Sequence, residues 1–200
     1  VCSSDLPTQL KGLDPATELA ILSVDLSDIP AEITDSENGI VVAPLGISNV
    51  SNIIGTPVVA LGRPMGSNGS VGYGMVSAVT LQSQKADANY KFLQTDIYGS
   101  SSADGILFNL QGQVIGIINS QKPNNDMKNM VTAIGISEIK KTVEKLSNGD
   151  GIAYLGINGT DVTDEAHENL KVPYGTFVRD VEMNSPAMRA GIQQGDVLIK

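Results

Sequence analysis

Residues 93–117, LQTDIYGSSSADGILFNLQGQVIGI, carry the pattern that decides the fold. After a serine-rich turn, residues 105–119 predict a β-hairpin, because two β-rich arms flank the turn Gln111-Gly112-Gln113. Outward from this hairpin, short apolar runs bounded by turn residues predict further strands at 16–26, 39–43, 57–62 and 71–82. Several short strands at close spacing favour a mainly β barrel or sandwich.

One segment follows a helical period instead. Residues 137–147, SEIKKTVEKLS, predict an α-helix, because the apolar residues recur at helical spacing at positions 136, 139, 143 and 146. Ser137 is the predicted N-cap, and Gly149 is a stop signal. The turn-rich tetrad 148–151, Asn-Gly-Asp-Gly, then predicts a domain boundary.

Composition and charge exclude several classes of function. The 200-residue chain carries a net charge of −9 and no basic stripe, so nucleic acid is not an expected partner. Cys2 is the only cysteine, so an intrachain disulfide is excluded, and neither a metal site nor another cofactor is predicted. Because no run approaches the roughly 18 apolar residues of a membrane span, membrane contact would need a segment outside this sequence.

Five segments, in order, resemble motifs of the HtrA-type serine proteases, a trypsin-like family with a C-terminal PDZ domain. The motifs are DPxTDLAxL, which holds the acid of the catalytic triad, GNPxG with GxVSA, and QTD with N-x-x-G-x-VIGI. They fall at residues 14–22, 61–66, 74–78, 93–96 and 109–117. The resemblance implies a trypsin-like (chymotrypsin-fold) β-barrel portion over residues 1–148. Part of the first barrel and the catalytic His would lie before Val1.

The acid and the base of a triad are both in question. A Ser-His-Asp site needs a hydroxyl nucleophile, an imidazole base and a carboxylate that orients the imidazole. At the acid position the resemblance implies Glu18, whose side chain is one methylene longer than that of Asp. The only histidine, His167, lies in a polar acidic stretch on a predicted short helix, and we expect it to be a solvated residue rather than the base.

The nucleophile position depends on the register of the serine loop. Counting back from Asn109 places Ala103, which has no nucleophilic atom, where the family has its Ser. Asp104 then replaces a Gly and brings a negative charge to the place where an oxyanion would form. The alternative register begins the motif at Gly99 and makes Ser101 the nucleophile. Both registers stay open, and the first is the favoured one.

Residues 151–200 resemble a PDZ domain that stops before its last strand and helix. Tyr154-Leu155-Gly156-Ile157 is similar to the carboxylate-binding loop of such a module. A peptide C-terminus adds to an exposed strand edge there, and backbone N–H groups of the loop hold its carboxylate. We expect Gly156 to allow close approach of the ligand, and Leu155 and Ile157 to shape the pocket for its last side chain. The alternative is that these apolar residues only fill a small core.

Intact scaffold motifs beside altered catalytic positions favour a degenerate HtrA-like homologue. It would bind peptides or unfolded protein segments, notably their C-termini, with little or no hydrolysis. Two alternatives stay open: an active serine endopeptidase that uses Ser101 and an upstream His, and a non-catalytic scaffold or regulatory subunit. The resemblance also implies a homotrimer and an extracytoplasmic or cell-surface location.

Overall fold

The structure, a computed structural model, describes residues 6–14, 16–34, 39–85, 87–118 and 129–199. The strands are β1 (Gln9–Asp14), β2 (Leu19–Ser23), β3 (Pro57–Arg63), β4 (Ser70–Lys85), β5 (Ala88–Tyr98), β6 (Asp104–Asn109), β7 (Val114–Ile118), β8 (Met130–Gly135), β9 (Ile157–Asp161), β10 (Thr176–Val181) and β11 (Val197–Leu198). The α-helices are α1 (Ala31–Thr34), α2 (Ile136–Ser147), α3 (Asp164–Leu170) and α4 (Pro186–Arg189), and a short 3₁₀ helix spans Leu26–Asp28. The prediction of a mainly β protein is confirmed.

Six strands close into a barrel in the order β3-β4-β5-β8-β7-β6. The predicted hairpin is confirmed as β6 and β7, which pair antiparallel. The interior of the barrel is filled by alternate apolar side chains, because successive residues of a strand face opposite sides of the sheet. The fully enclosed members are Val58, Ala60, Val76, Leu107, Val131 and Ala133.

Two glycines let strands β3 and β6 approach closely at the rim of the barrel. Gly62 and Gly105 lie opposite each other in this antiparallel pair, and their φ angles are 126° and 132°. A Cβ atom at Gly105 would lie 2.1 Å from the carbonyl oxygen of Leu61. Both the backbone conformation and the space therefore require glycine in β6, directly after Asp104.

Helix α2 begins one residue earlier than predicted, and its cap differs. Gly135, not Ser137, is the N-cap, and it makes no side-chain capping bond. The Ser137 hydroxyl instead accepts a hydrogen bond from the Ser48 amide at 2.9 Å, while the Ser137 amide donates to the Ser48 hydroxyl at 2.9 Å. The Ser137 hydroxyl, which the sequence predicts as the helix cap, thus bonds to Ser48, a residue distant in sequence. Ile136, Ile139 and Leu146 face the protein interior, as their spacing predicts.

Two predicted strands change. Residues 39–43 form no strand, and the side chains of Val41 and Val42 are 85% and 84% exposed. The next segment joins β7, where Leu45 forms a parallel bridge with Val114 and the amides of Gly46 and Val114 donate to the carbonyls of Val114 and Pro44 at 2.8 and 2.9 Å. Because this bridge is parallel, the residues before Leu45 run alongside the turn between β6 and β7 rather than alongside a strand, so the ladder does not extend to residues 39–43.

The strand predicted over residues 16–26 shortens to β2 because short polar side chains hold the backbone at both ends. Before it, the Asp14 carboxylate accepts hydrogen bonds from the Ala16 amide and the Thr17 hydroxyl. After it, Asp25 caps the 3₁₀ helix by accepting from the Ser27 amide at 2.9 Å. Such Asx turns compete with strand pairing for the backbone.

The chain divides into two compact units. The first comprises Val1–Leu13, Ala20–Gln82 and Tyr90–Asp150, and the second comprises Asp14–Leu19, Ser83–Asn89 and Gly151–Lys200. The second unit contains a three-stranded antiparallel sheet in the order β11-β10-β9, so β9 lies at the edge of that sheet. Its small core consists of buried Ile157, Val178 and Ala187, with Val181, Ile192 and Leu198 packed against them.

Candidate functional site

The serine-rich turn lies immediately before strand β6. Ala103, the residue at the favoured nucleophile position, is 2% exposed and packs in the barrel core. Its methyl group therefore points into the protein, where it meets apolar neighbours. An alanine at this position supplies neither a nucleophilic atom nor a proton for a base to remove.

The backbone amide of Ala103 is also occupied. In a trypsin-like site the amide N–H of the nucleophile residue is one of the donors that stabilise the oxyanion. Here the Ala103 amide donates to the Ser100 carbonyl at 3.2 Å and closes a tight turn. The same turn holds the Ser100 amide against the Pro64 carbonyl at 2.9 Å. In this conformation the Ala103 amide is used as a donor within the turn.

Asp104 carries a charge that Arg63 partly balances. Its carboxylate lies 2.7 Å from an Arg63 guanidinium nitrogen, and the two residues oppose each other across β3 and β6. The Arg63 side chain is 43% exposed and the Asp104 side chain is 54% exposed, so solvent screens the pair. The negative charge of Asp104, which the favoured register puts next to the nucleophile position, thus lies on the barrel rim beside the Arg63 cation.

Ser101, the alternative nucleophile, lies in the exposed part of the turn. Its neighbours Ser100 and Ser102 bond to each other, with 3.1 Å between their hydroxyl oxygens, and the Ser102 amide donates to the Ser100 hydroxyl. Two of the three serines therefore act as turn residues, as Ser commonly does.

The residue at the acid position belongs to the second unit, whereas Ala103 belongs to the first. Glu18 is exposed in the turn before β2 and has a left-handed φ of 60°. The buried carboxylate of this turn is that of Asp14, which is 3% exposed and bonds to Thr17 at 2.7 Å. Asp14 stabilises the turn that presents Glu18.

His167 lies on helix α3 and is partly buried, which corrects the expectation of a solvated side chain. Its ring stacks on Tyr174 with the ring centroids 3.9 Å apart. The Nδ1 atom lies 2.7 Å from the carbonyl oxygen of Val172. Both of these partners lie in the loop that follows helix α3, so the ring attaches this loop to the helix.

The loop 154–157 of the second unit is firmly shaped by its carbonyl groups. The Leu155 carbonyl accepts from the Ala187 amide and the Gly156 carbonyl from the Glu182 amide, each at 2.9 Å. Gly156 has a φ of 85°, and a Cβ atom there would lie 2.2 Å from Cβ of Ser185. These contacts fix one face of the loop and leave its amide groups on another.

Three consecutive amides of this loop converge on one carboxylate. Leu155 and Gly156 donate to Oδ2 of Asp87 at 2.5 and 2.7 Å, and Ile157 donates to Oδ1 at 3.2 Å. Such a cluster of N–H groups forms a concave anion site. Sequence reasoning identified the donors but missed Asp87, because nothing in the local pattern near residue 87 relates it to residues 155–157.

Tyr154, at the start of the loop, bonds to Glu182 rather than facing the carboxylate. Its hydroxyl donates to the Glu182 carboxylate, and this hydrogen bond raises the pKa of Tyr154 above its ordinary value. Deprotonation would place a second negative charge beside Glu182, so the neutral phenol is favoured. Tyr154 therefore anchors the loop to the residue after β10.

Neither a metal centre nor a membrane helix is found in the part of the chain that the structure describes. Among those residues no group of three or more His, Cys, Asp or Glu side chains could hold a metal ion. No helix among them is long and apolar enough to cross a membrane.

Comparison with known proteins adds three findings. Residues 2–117 match the family model described as trypsin-like peptidase domain. The chain is 30% identical over 204 residues to a probable periplasmic serine endoprotease DegP-like of Halomonas elongata, covering 98% of this chain and 40% of that protein. A protein of the same description from Hahella chejuensis is 33% identical over 202 residues, which cover 98% of this chain and 40% of the relative.

The fold is likewise similar to a solved structure, that of the HtrA-type protease AlgW with a decapeptide. The TM-score is 0.62 at 28% identity, and the match covers 96% of this chain and 57% of that chain. With the closed six-stranded barrel, these comparisons confirm the trypsin-like fold class expected from the motifs. The chain spans less than half the length of the two curated relatives.

Proposed function

We propose that this chain, which belongs to the trypsin-like peptidase domain family and is HtrA-type, is a peptide-binding homologue with a degenerate catalytic site. The observation that carries this proposal is the buried Ala103, whose methyl group lies in the barrel core and whose amide is bonded within the turn. Hydrolysis by the family's mechanism needs a hydroxyl group and a free oxyanion donor at that position.

Protease assays test the catalytic half of the proposal. We expect the chain to leave labelled casein intact and its serine turn unlabelled by a fluorophosphonate, because Ala103 has no oxygen to react. The Ser101→Ala variant and its neighbour Ser102→Ala form a matched pair on the same exposed turn. Cleavage that disappears in Ser101→Ala and persists in Ser102→Ala would refute the proposal.

The same assay tests an active serine endopeptidase as the second candidate function. The exposure of Ser101 favours it, since a nucleophile must be reachable by substrate. It would also need an imidazole base within hydrogen-bond reach of the Ser101 hydroxyl.

The binding half of the proposal treats the second unit as a PDZ module. Strand β9 lies at the edge of its sheet, and the three amides of Leu155, Gly156 and Ile157 converge directly before and at the start of that strand. A peptide that pairs with an edge strand and ends in a carboxylate matches this arrangement. We therefore propose that the ligands are C-termini of peptides or unfolded proteins.

Fluorescence anisotropy with two versions of one short peptide ending in Val tests this binding. We expect the version with a free carboxylate to bind more tightly than the amidated version, because only the former can accept from three amides with a full negative charge. Leu155→Ala should weaken binding by removing an apolar wall, whereas Leu170→Ala, on exposed helix α3, should not. Equal binding of both peptides would contradict the assignment.

We further propose that the protein acts outside the cytoplasm, as the periplasmic description of its relatives suggests. Assembly into a homotrimer stays a prediction from the family resemblance. Size-exclusion chromatography with light scattering measures it directly.

A further inference from the structure

We propose that Asp87 is an internal pseudo-ligand that occupies the carboxylate-binding amides of loop 154–157 and competes with the C-terminal carboxylates of peptide ligands. This inference rests on the proposed peptide-binding function and adds its regulation. Asp87 lies between β4 and β5, in the segment Ser83–Asn89 that belongs to the same compact unit as the loop.

The contacts of Asp87 reproduce both halves of peptide recognition by strand addition. Its carboxylate accepts from the amides of Leu155, Gly156 and Ile157. Its own amide donates to the Ile157 carbonyl at 2.7 Å, a main-chain bond to the first residue of edge strand β9. A bound peptide is held in the same two ways, by main-chain pairing along the edge and by a carboxylate in the loop.

The site is built independently of Asp87. The carbonyls of Leu155 and Gly156 bond to the amides of Ala187 and Glu182, so the loop is oriented by the body of the unit. The amides would consequently keep their direction if the Asp87 side chain left. Asp87 itself is exposed, which leaves a path for its displacement by an incoming carboxylate.

Competition from a tethered carboxylate lowers the apparent affinity for a free one. A group held on the same chain acts at an effective concentration of the order of millimolar, and only the fraction of molecules with an empty loop binds peptide. Removing the internal carboxylate should therefore tighten peptide binding by about tenfold. If Asp87 merely stabilised the fold, its loss would leave affinity unchanged or weaken it.

The Asp87→Asn substitution isolates the charge. Asn tolerates the left-handed φ of 57° that Asp87 adopts, so the backbone of the turn is retained. Asp180→Asn on strand β10 is the matched control, because it removes the same charge from an exposed position of the same unit. Both variants are made in the 200-residue chain.

Two measurements on each protein separate the outcomes. NMR reports the amide resonances of residues 155–157, and anisotropy reports affinity for the Val-ended peptide with a free carboxylate. We expect Asp87→Asn to shift the three amides and to raise affinity about tenfold, while Asp180→Asn does neither. Unshifted amides, or shifted amides with unchanged affinity, would overturn the inference.

The two proposals fail in different ways. If the amides shift in Asp87→Asn but neither this variant nor the unchanged chain binds the peptide, the proposed peptide binding and the proposed competition are both wrong. The contact between Asp87 and the loop is then still confirmed. If Asp87→Asn and the unchanged chain bind the free-carboxylate peptide with equal affinity, Asp87 is not a competitor. Peptide binding is still supported if both bind this peptide more tightly than the amidated one.

Discussion

Replacing Gly156 with Ala should destabilise the second unit through two separable effects. The left-handed φ of 85° disfavours any residue with a Cβ atom by about 1–2 kcal/mol. The new methyl group would also lie 2.2 Å from Cβ of Ser185, which is 1% exposed and caps helix α4 by accepting from the Met188 amide. Relief of such an overlap in a packed site costs about 1–3 kcal/mol. Together these effects predict a loss of about 2–5 kcal/mol.

Gly191→Ala supplies the matched control. Gly191 has the same φ of 85° in the same unit, but a Cβ atom there would meet nothing within 4 Å. Its substitution should cost only the backbone share, about 1–2 kcal/mol. Urea unfolding followed through the amide resonance of fully buried Val178 measures the free energy of unfolding of this unit in each variant. Equal losses in the two variants would refute the reasoning that the Ser185 contact makes glycine necessary at position 156.

Two further predictions concern the charged groups. Glu182→Gln should lower the pKa of Tyr154, because the hydrogen bond to Glu182 raises it. Ultraviolet titration of tyrosinate measures this pKa. The pKa of Tyr174, which burial and Asp164 raise, should not change and serves as the reference. Since the raised pKa favours the neutral phenol, the stabilisation by Tyr154 should be complete below about pH 10 and be lost as the pH rises through the pKa of the folded state. Asp104→Asn should change the free energy of unfolding by less than about 1 kcal/mol, because its pair with Arg63 is half exposed, and a larger loss in urea unfolding would contradict that estimate.

The barrel could be predicted because its signals are local. The hairpin of β6 and β7 follows from two β-rich arms around one turn, and β3 follows from a short apolar run bounded by Pro and Gly. Helix α2 follows from apolar spacing alone. In each case neighbouring residues determine both the element and the face it buries.

The errors arise where a distant residue decides. The apolar run at 39–43 has strand propensity but lies before the parallel Leu45–Val114 bridge, alongside the turn between β6 and β7, and propensity without a paired strand does not make a strand. Ser137 lies inside the helix, after its first residue, and its hydroxyl accepts from the distant Ser48 amide instead of capping.

The candidate binding site divides in the same way. Loop 154–157 was recognisable as a motif, whereas the carboxylate it holds lies 68 residues away in sequence from Leu155. Only the fold brings Asp87 to the loop. The assignment of Glu18 and Ala103 to triad positions stays a prediction.

The closed circuit of the barrel has a consequence for hydrogen exchange. Each of its six strands has a paired neighbour on either side. A central amide such as that of Val58 or Ile134 therefore loses its hydrogen bond only when the barrel as a whole unfolds. Deuterium should therefore enter those positions at the rate set by global unfolding of the first unit. Apart from the Ile157 amide, which donates to Asp87, amides of β9 on the side facing away from β10 should exchange by small local openings, many times faster.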